Sequence, residues 1–216
     1  MSSKYRRAIF SEKDLLIFKE IYTTTPNLNI QSNCKNIEWT IENPPNFIHK
    51  RRFGVENISI ELRILKFNED FRDVLMIIIE SAHKSAQMIR DVAGNYGEVS
   101  KGAVSATVDS LVVSWSYKYD EGKLTILDVL AELVYALACR HKFKDGNKRT
   151  ALMTRMFLIQ FFGLYVKKGT PEKDTFWDDF IVDIVERHSM IDEELHLKEI
   201  KEKWKKELYI WFKRYN

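Results

Sequence analysis

From residue 69 onward the apolar positions fall at helical spacing. In EDFRDVLMIIIESAHKSAQMIRDVAG, Phe71, Val74, Leu75, Ile78, Ile79, Ala82, Ala86 and Ile89 recur at steps of three and four, which predicts one amphipathic helix ended by Gly94. KGAVSATVDSLVVSWSYKYDEGK mixes two signals. Val104, Val108 and Leu111 suit a helix, whereas the β-branched and aromatic run LVVSWSYKY suits a strand, so a helix passing into an irregular or hairpin segment is expected. A clearer helix follows: Thr125 is a good N-cap, Asp128 complements the helix dipole, and Ile126, Leu127, Leu130, Leu133, Val134, Leu137 and Ala138 make it apolar enough to be central. TALMTRMFLIQFFG, residues 150–163, predicts a second helix that is apolar nearly all round, with Gly163 at its C-cap. FWDDFIVDIVERH predicts a further helix, and residues 192–215 a long charged one whose stripe of Leu195, Ile200, Trp204, Leu208 and Trp211 packs on the core.

Residues 1–67 differ in texture. SEKDLLIFKEIY suits a short helix capped by Ser11, and TTTPNLNIQSNCKNIEWTIENPPNF, rich in Asn, Thr and Pro, is expected to be mostly loop. Ile58, Ile60, Leu62 and Ile64 alternate with other residues, a period-2 pattern that predicts a strand paired with IEWTIE. The expected organisation is a small mixed α/β N-terminal extension (1–67), a helical core (68–190) and a C-terminal helix (191–216), in a mainly α fold.

Composition narrows the function classes. The chain has 34 basic and 31 acidic residues, a net charge of +3, too even to bind nucleic acid through bulk electrostatics. The basic cluster HKRRF, 49–53, is short enough to be a solvated loop. Cys34 and Cys139 are far apart and have no metal-site spacing, which suits a reducing cytoplasm. No signal peptide is expected at MSSKYRRAIFSEKDLL, and no apolar run approaches a membrane span, so a cytoplasmic protein without membrane partners is the expectation.

HKFKDGNKRTA, residues 141–151, stands between two apolar helices and concentrates the chemistry. A helix N-terminus offers unpaired N–H groups and the positive end of a dipole to an anion. Gly146 permits close approach, Asn147 can donate to an oxygen, and Lys148 and Arg149 add positive charge, so the set reads as a phosphate cradle. Asp145 is a hard oxygen donor suited to magnesium held together with phosphates. His141 can take a proton near neutral pH, as a general base acting on a hydroxyl must. Phe143 is expected to point inward and anchor the loop.

The order His-x-Phe-x-Asp-Gly-Asn-x-Arg resembles the Fic/Doc (Fido) motif, and Asn147–Ala151, NKRTA, resembles the death-on-curing, or Doc, branch in particular. The resemblance implies a helical Fic/Doc core that binds ATP with Mg2+. It implies that His141 deprotonates a Ser, Thr or Tyr hydroxyl of a protein substrate, that Asp145 holds the metal, and that Gly146, Asn147, Lys148 and Arg149 bind phosphates. Most members transfer AMP, whereas Doc toxins transfer the terminal phosphate and arrest translation, which points to a translation factor as target.

Each branch pattern differs somewhere from this chain. The AMP-transferring pattern has Gly in place of Lys148 and a second Arg in place of Leu152, and Doc proteins usually have Ala in place of Gly146. Doc-like phosphorylation is the first expectation and AMP transfer the second. A non-catalytic relative that binds nucleotide or a partner is the third, opposed by the complete set of His141, Asp145, Asn147 and Arg149. Self-inhibited members carry Ser/Thr-x-x-x-Glu-Gly/Asn. The Glu-Gly and Glu-Asn pairs here begin at Glu42, Glu56 and Glu121 and are preceded four residues earlier by Glu38, Arg52 and Tyr117, so an antitoxin acting in trans is expected.

Overall fold

The computed structural model describes residues 3–11, 13–14, 16–17, 28–33, 36–41, 56–64, 67–88, 96–162, 164–166 and 176–210. The architecture is a helical core with a small sheet at its N-terminal side. Strands β1 (Ser3–Ile9), β2 (Leu28–Asn33), β3 (Asn36–Ile41) and β4 (Glu56–Ile64) lie in the order β1-β4-β3-β2. The alternating segment pairs antiparallel with IEWTIE as the pattern predicts, Trp39 opposite Ile58, while β1 runs parallel to β4. The expected loop over the Asn/Thr-rich stretch is corrected in part, because Leu28–Asn33 forms an antiparallel hairpin with β3. Isolated Asn residues lower strand propensity only weakly, and ladder bonds to a neighbour override them.

Helix α1 (Glu69–Met88) buries Phe71, Leu75, Ile79, Ala82 and Ala86. Val74 and Ile78 are half-buried beside that face, and Ile89 and Gly94 lie outside the described residues. Helix α2 (Ala103–Asp120) runs unbroken through LVVSWSYKY, which corrects the expected break. Its buried residues Val104, Val108, Leu111 and Trp115 sit at steps of four, three and four, so one continuous apolar stripe outweighs the local β propensity. Trp115 donates its indole N–H to Glu132 Oε2 at 2.8 Å, and Lys118 Nζ donates to Glu132 Oε1 at 2.6 Å. These bonds satisfy a carboxylate that would be costly to bury alone.

Helix α3 (Ile126–Cys139) is the core element, with Leu130, Leu133, Val134 and Leu137 wholly excluded from solvent. Thr125 and Asp128 cap it reciprocally. Asp128 N–H donates to Thr125 Oγ1 at 3.1 Å, and Thr125 N–H donates to Asp128 Oδ2 at 3.0 Å. Ser11, expected as a cap for its own segment, instead donates its hydroxyl to Leu124 O at 2.8 Å. Asp14 is buried against the same helix start and accepts the N–H groups of Ile126 at 2.8 Å and Phe10 at 2.7 Å. The chain just after β1 is therefore part of the core, where Phe10 meets Phe71 and Phe162 edge-to-face.

Helix α4 (Asn147–Phe161) starts three residues before the expected Thr150, and its C-cap is Phe162, Gly163 lying outside the described residues. The expectation of a helix apolar nearly all round is corrected. Its buried face carries Thr150, Thr154 and Arg155 beside Ala151 and Leu158, while Met156 and Phe161 are exposed. Helices α5 (Phe176–Arg187) and α6 (Glu193–Glu207) close the core, with Ile200 and Trp204 buried as expected and Leu195 exposed. The long C-terminal helix ends early. Leu208–Ile210 forms β6, antiparallel to β5 (Leu164–Val166), because a ladder there satisfies backbone groups that one more helical turn would otherwise claim. Trp211 lies outside the described residues. Among the described residues, no helix is long and apolar enough to cross a membrane.

Candidate active site

The quoted stretch forms the turn between α3 and α4. After the C-cap Arg140, His141 adopts φ 47°, the left-handed region that few side chains other than Gly, Asn, Asp and His enter, and its imidazole is exposed. The chain then runs briefly extended beside residues 97–99. Val99 N–H donates to Lys142 O at 3.0 Å, Lys144 N–H donates to Gly97 O at 2.9 Å, and Glu98 faces Phe143 across the pair. Phe143 is buried, as its type and place predict, with its ring stacked on His83 at a centroid distance of 3.9 Å and 13° between planes.

Gly146 is the N-cap of α4 at φ 79°, and an added Cβ would lie 3.2 Å from Tyr96 Cε1. Thr150 N–H donates to Gly146 O at 2.8 Å. The backbone N–H groups of Asn147, Lys148 and Arg149 precede that first intrahelical bond and mark the positive end of the helix dipole. Asn147 serves the loop itself, its amide bonding the backbone of Phe143 at both ends. Gly146 and Asn147 therefore shape the cradle, whereas Lys148 and Arg149 bring charge to it.

Arg149 lies 5.5 Å over the Tyr96 ring, and its Nη2 meets Asp145 Oδ2 at 3.3 Å. Its Nη1 is buried without a hydrogen-bond partner, a donor that an anion's oxygen would satisfy. Asp145 accepts the Gly146 N–H on Oδ1 at 2.6 Å, and its carboxylate is otherwise half exposed. One such carboxylate fits magnesium, which takes one or two acids and completes its shell with phosphate oxygens and water. Among the described residues, no group of three or more His, Cys, Asp or Glu could hold a metal by itself.

His141 and residues 144–149 line one open cleft of about 510 Å3, within the range of small-molecule sites. The structure thus brings every expected site residue to one place. Cys139, two residues before His141, is excluded from the chemistry: burial pushes its thiol up to about 12, and it remains a small apolar group. The motif alone does not reveal His83 and Tyr96, which lie outside it and contact Phe143, Thr150 and Gly146 directly. His83 sits next to Ala82 on a face read as apolar, and its lone polar atom pair was the available signal.

The arrangement is an exposed imidazole and the positively charged start of a helix lining one cleft. Residues 68–159, from the start of α1 into α4, match the model of the Fic/DOC family. The match covers the whole motif loop and most of α4, and over these residues the chain is similar to that family. No curated protein matches the chain.

Proposed function

We propose that this protein is an ATP- and magnesium-dependent modifier of protein hydroxyls that transfers the terminal phosphate in the manner of the Doc branch. One observation carries the reading: the N-terminus of α4, Lys148 and Arg149 line the same cleft as His141. His141 takes the proton of a substrate Ser, Thr or Tyr hydroxyl as that oxygen attacks the γ phosphorus. The bond from γ phosphorus to the β–γ bridging oxygen breaks, and ADP leaves with the electron pair. Lys148, Arg149 and the free N–H groups stabilise the charge on the transferring group, where such a cradle contributes most. Magnesium, held by Asp145, would neutralise phosphate charge.

AMP transfer is the alternative, and a specific feature favours it. Position 146 is a glycine in a left-handed conformation with Tyr96 close above, as the AMP-transferring pattern has it, where Doc proteins usually carry Ala. Incubation with cell lysate and ATP labelled separately at α and γ distinguishes the reactions. Transfer of γ label alone supports phosphorylation, α label alone supports AMP transfer, and neither leaves a binding protein.

The proposed target is a cytoplasmic translation factor, and the proposed regulator is a separate antitoxin-like chain that covers the cleft. What supports regulation in trans is the missing inhibitory motif: the nearest Glu-Gly pair begins at Glu121, whose carboxylate is engaged with Lys123 at 2.7 Å. Overexpression without any partner should arrest growth, and harmless overexpression of active protein rejects this part.

A further inference from the structure

The His83 imidazole touches three separate pieces of the site. Its Nε2 lies 2.5 Å from Tyr96 O and its Nδ1 lies 2.8 Å from Thr150 Oγ1, while its ring face stacks on Phe143. A carbonyl oxygen can only accept, so Nε2 carries the hydrogen. In the neutral ring Nδ1 then accepts the Thr150 hydroxyl hydrogen. We infer that His83 is a positioning residue of the anion site, one that fixes the loop and the first turn of α4 without touching the nucleotide.

The consequences follow each bond outward. The bond to Tyr96 O fixes the residue whose ring lies against Gly146 and under the Arg149 guanidinium. The Thr150 bond fixes the residue whose own N–H holds Gly146 O, and hence the N-cap. The stack fixes Phe143, whose backbone Asn147 grips. Loop, cap and arginine support are separate in sequence, and α1 joins them through one side chain. A cradle that must meet a transferring phosphoryl group within a few tenths of an ångström depends on such support.

The inference rests on the same site as the proposed function, but its first test needs no nucleotide. Hydrogen exchange of the free protein, read by mass spectrometry, reports how firmly residues 142–150 are held. His83→Phe keeps the stack and loses both bonds, so exchange across 142–150 should quicken by about tenfold, one hydrogen bond's worth, with α2 unchanged. His83→Gln restores a donor at the Nε2 position and should recover part of that protection. Thr150→Val, isosteric and less disruptive, should loosen the first turn of α4 in the parent and add nothing in His83→Phe. With ATP, magnesium and substrate, kcat should fall more than KM for ATP changes in His83→Phe, with partial rescue in His83→Gln. Unchanged exchange in both His83→Phe and Thr150→Val overturns the inference, and Thr150→Val alone decides it if His83→Phe does not fold. Loosened exchange in a protein whose parent neither binds nor uses ATP keeps the inference and rejects the transferase reading.

Discussion

Asn147 grips the backbone of Phe143 at both ends, Oδ1 accepting its N–H at 2.9 Å and Nδ2 donating to its carbonyl oxygen at 2.7 Å. The residue that the motif offers as a phosphate donor therefore holds the turn that carries His141. Asn147→Asp keeps the acceptor but sets a second acceptor against the Phe143 carbonyl. The cost of a buried, unmatched polar group is about 1–3 kcal/mol, and urea unfolding should report a loss of that size. An unchanged midpoint would mean that the clamp contributes nothing.

His141→Ala should leave folding and ATP affinity near those of the parent while transfer falls by about 10²- to 10⁴-fold, the range of general-base catalysis. The exposure of His141 keeps the packing cost small, and its left-handed backbone already carries a Cβ that Ala retains. Full activity in the variant would remove His141 from the mechanism. Asp145→Ala should instead weaken ATP binding only when magnesium is present, and equal titrations with and without the ion would rule out its metal role.

How much was legible depends on what kind of force sets each element. The stripe of α1, the capping box of Thr125 and Asp128 and the apolar α3 were readable because periodicity and caps act locally. LVVSWSYKY reads as strand because its residues favour strand one by one, whereas the burial of Leu111 and Trp115 along α2 is a tertiary gain. The early start of α4 has no cap signal in the sequence, because its N-cap is Gly146, which makes no side-chain cap bond. The loop's supports were invisible in sequence: Tyr96 and Thr150 meet His83 across 13 and 67 positions, and no local pattern encodes that meeting.

Asp14 should make stability depend on mild acid. Burial, the largest influence, pushes its carboxyl up to about 6 from 3.8 despite the N–H groups of Ile126 and Phe10 that favour the charge, and Asp128 adds to the rise. Between those values the folded chain keeps a proton that the unfolded chain has released. The stabilisation is therefore full below about pH 4 and lost as pH rises through about 6. Urea midpoints of the parent should fall relative to Asp14→Asn across that window, and a constant gap between the two would contradict the shift.

Gly146→Ala should loosen the loop even though Doc proteins usually have Ala there. A left-handed residue with a Cβ costs about 1–2 kcal/mol, and the new methyl would press on Tyr96 at 3.2 Å. ATP affinity measured by titration should drop as the N-cap shifts. If Ala binds ATP as well as Gly does, the loop adapts at little cost and the Gly146 geometry does not favour AMP transfer.

Lys148 most separates the two reactions. It is the second residue of α4, exposed, and on the wall of the cleft. A glycine there would let the α and β phosphates lie against the backbone at the helix N-terminus and bring the α phosphorus before the attacking hydroxyl. A lysine adds bulk and a full positive charge to that space. The γ phosphate, with the greatest negative charge and no further substituent, then becomes the group that the cradle of residues 146–149 holds, in front of His141. The parent should transfer γ label, and Lys148→Gly should shift transfer towards α label, weakly because Leu152 stands where the AMP-transferring pattern has its second arginine. Adding Leu152→Arg should strengthen the shift. A parent that transfers only α label would reject the phosphorylation reading and leave Lys148 as a surface cation without influence on which phosphorus is attacked.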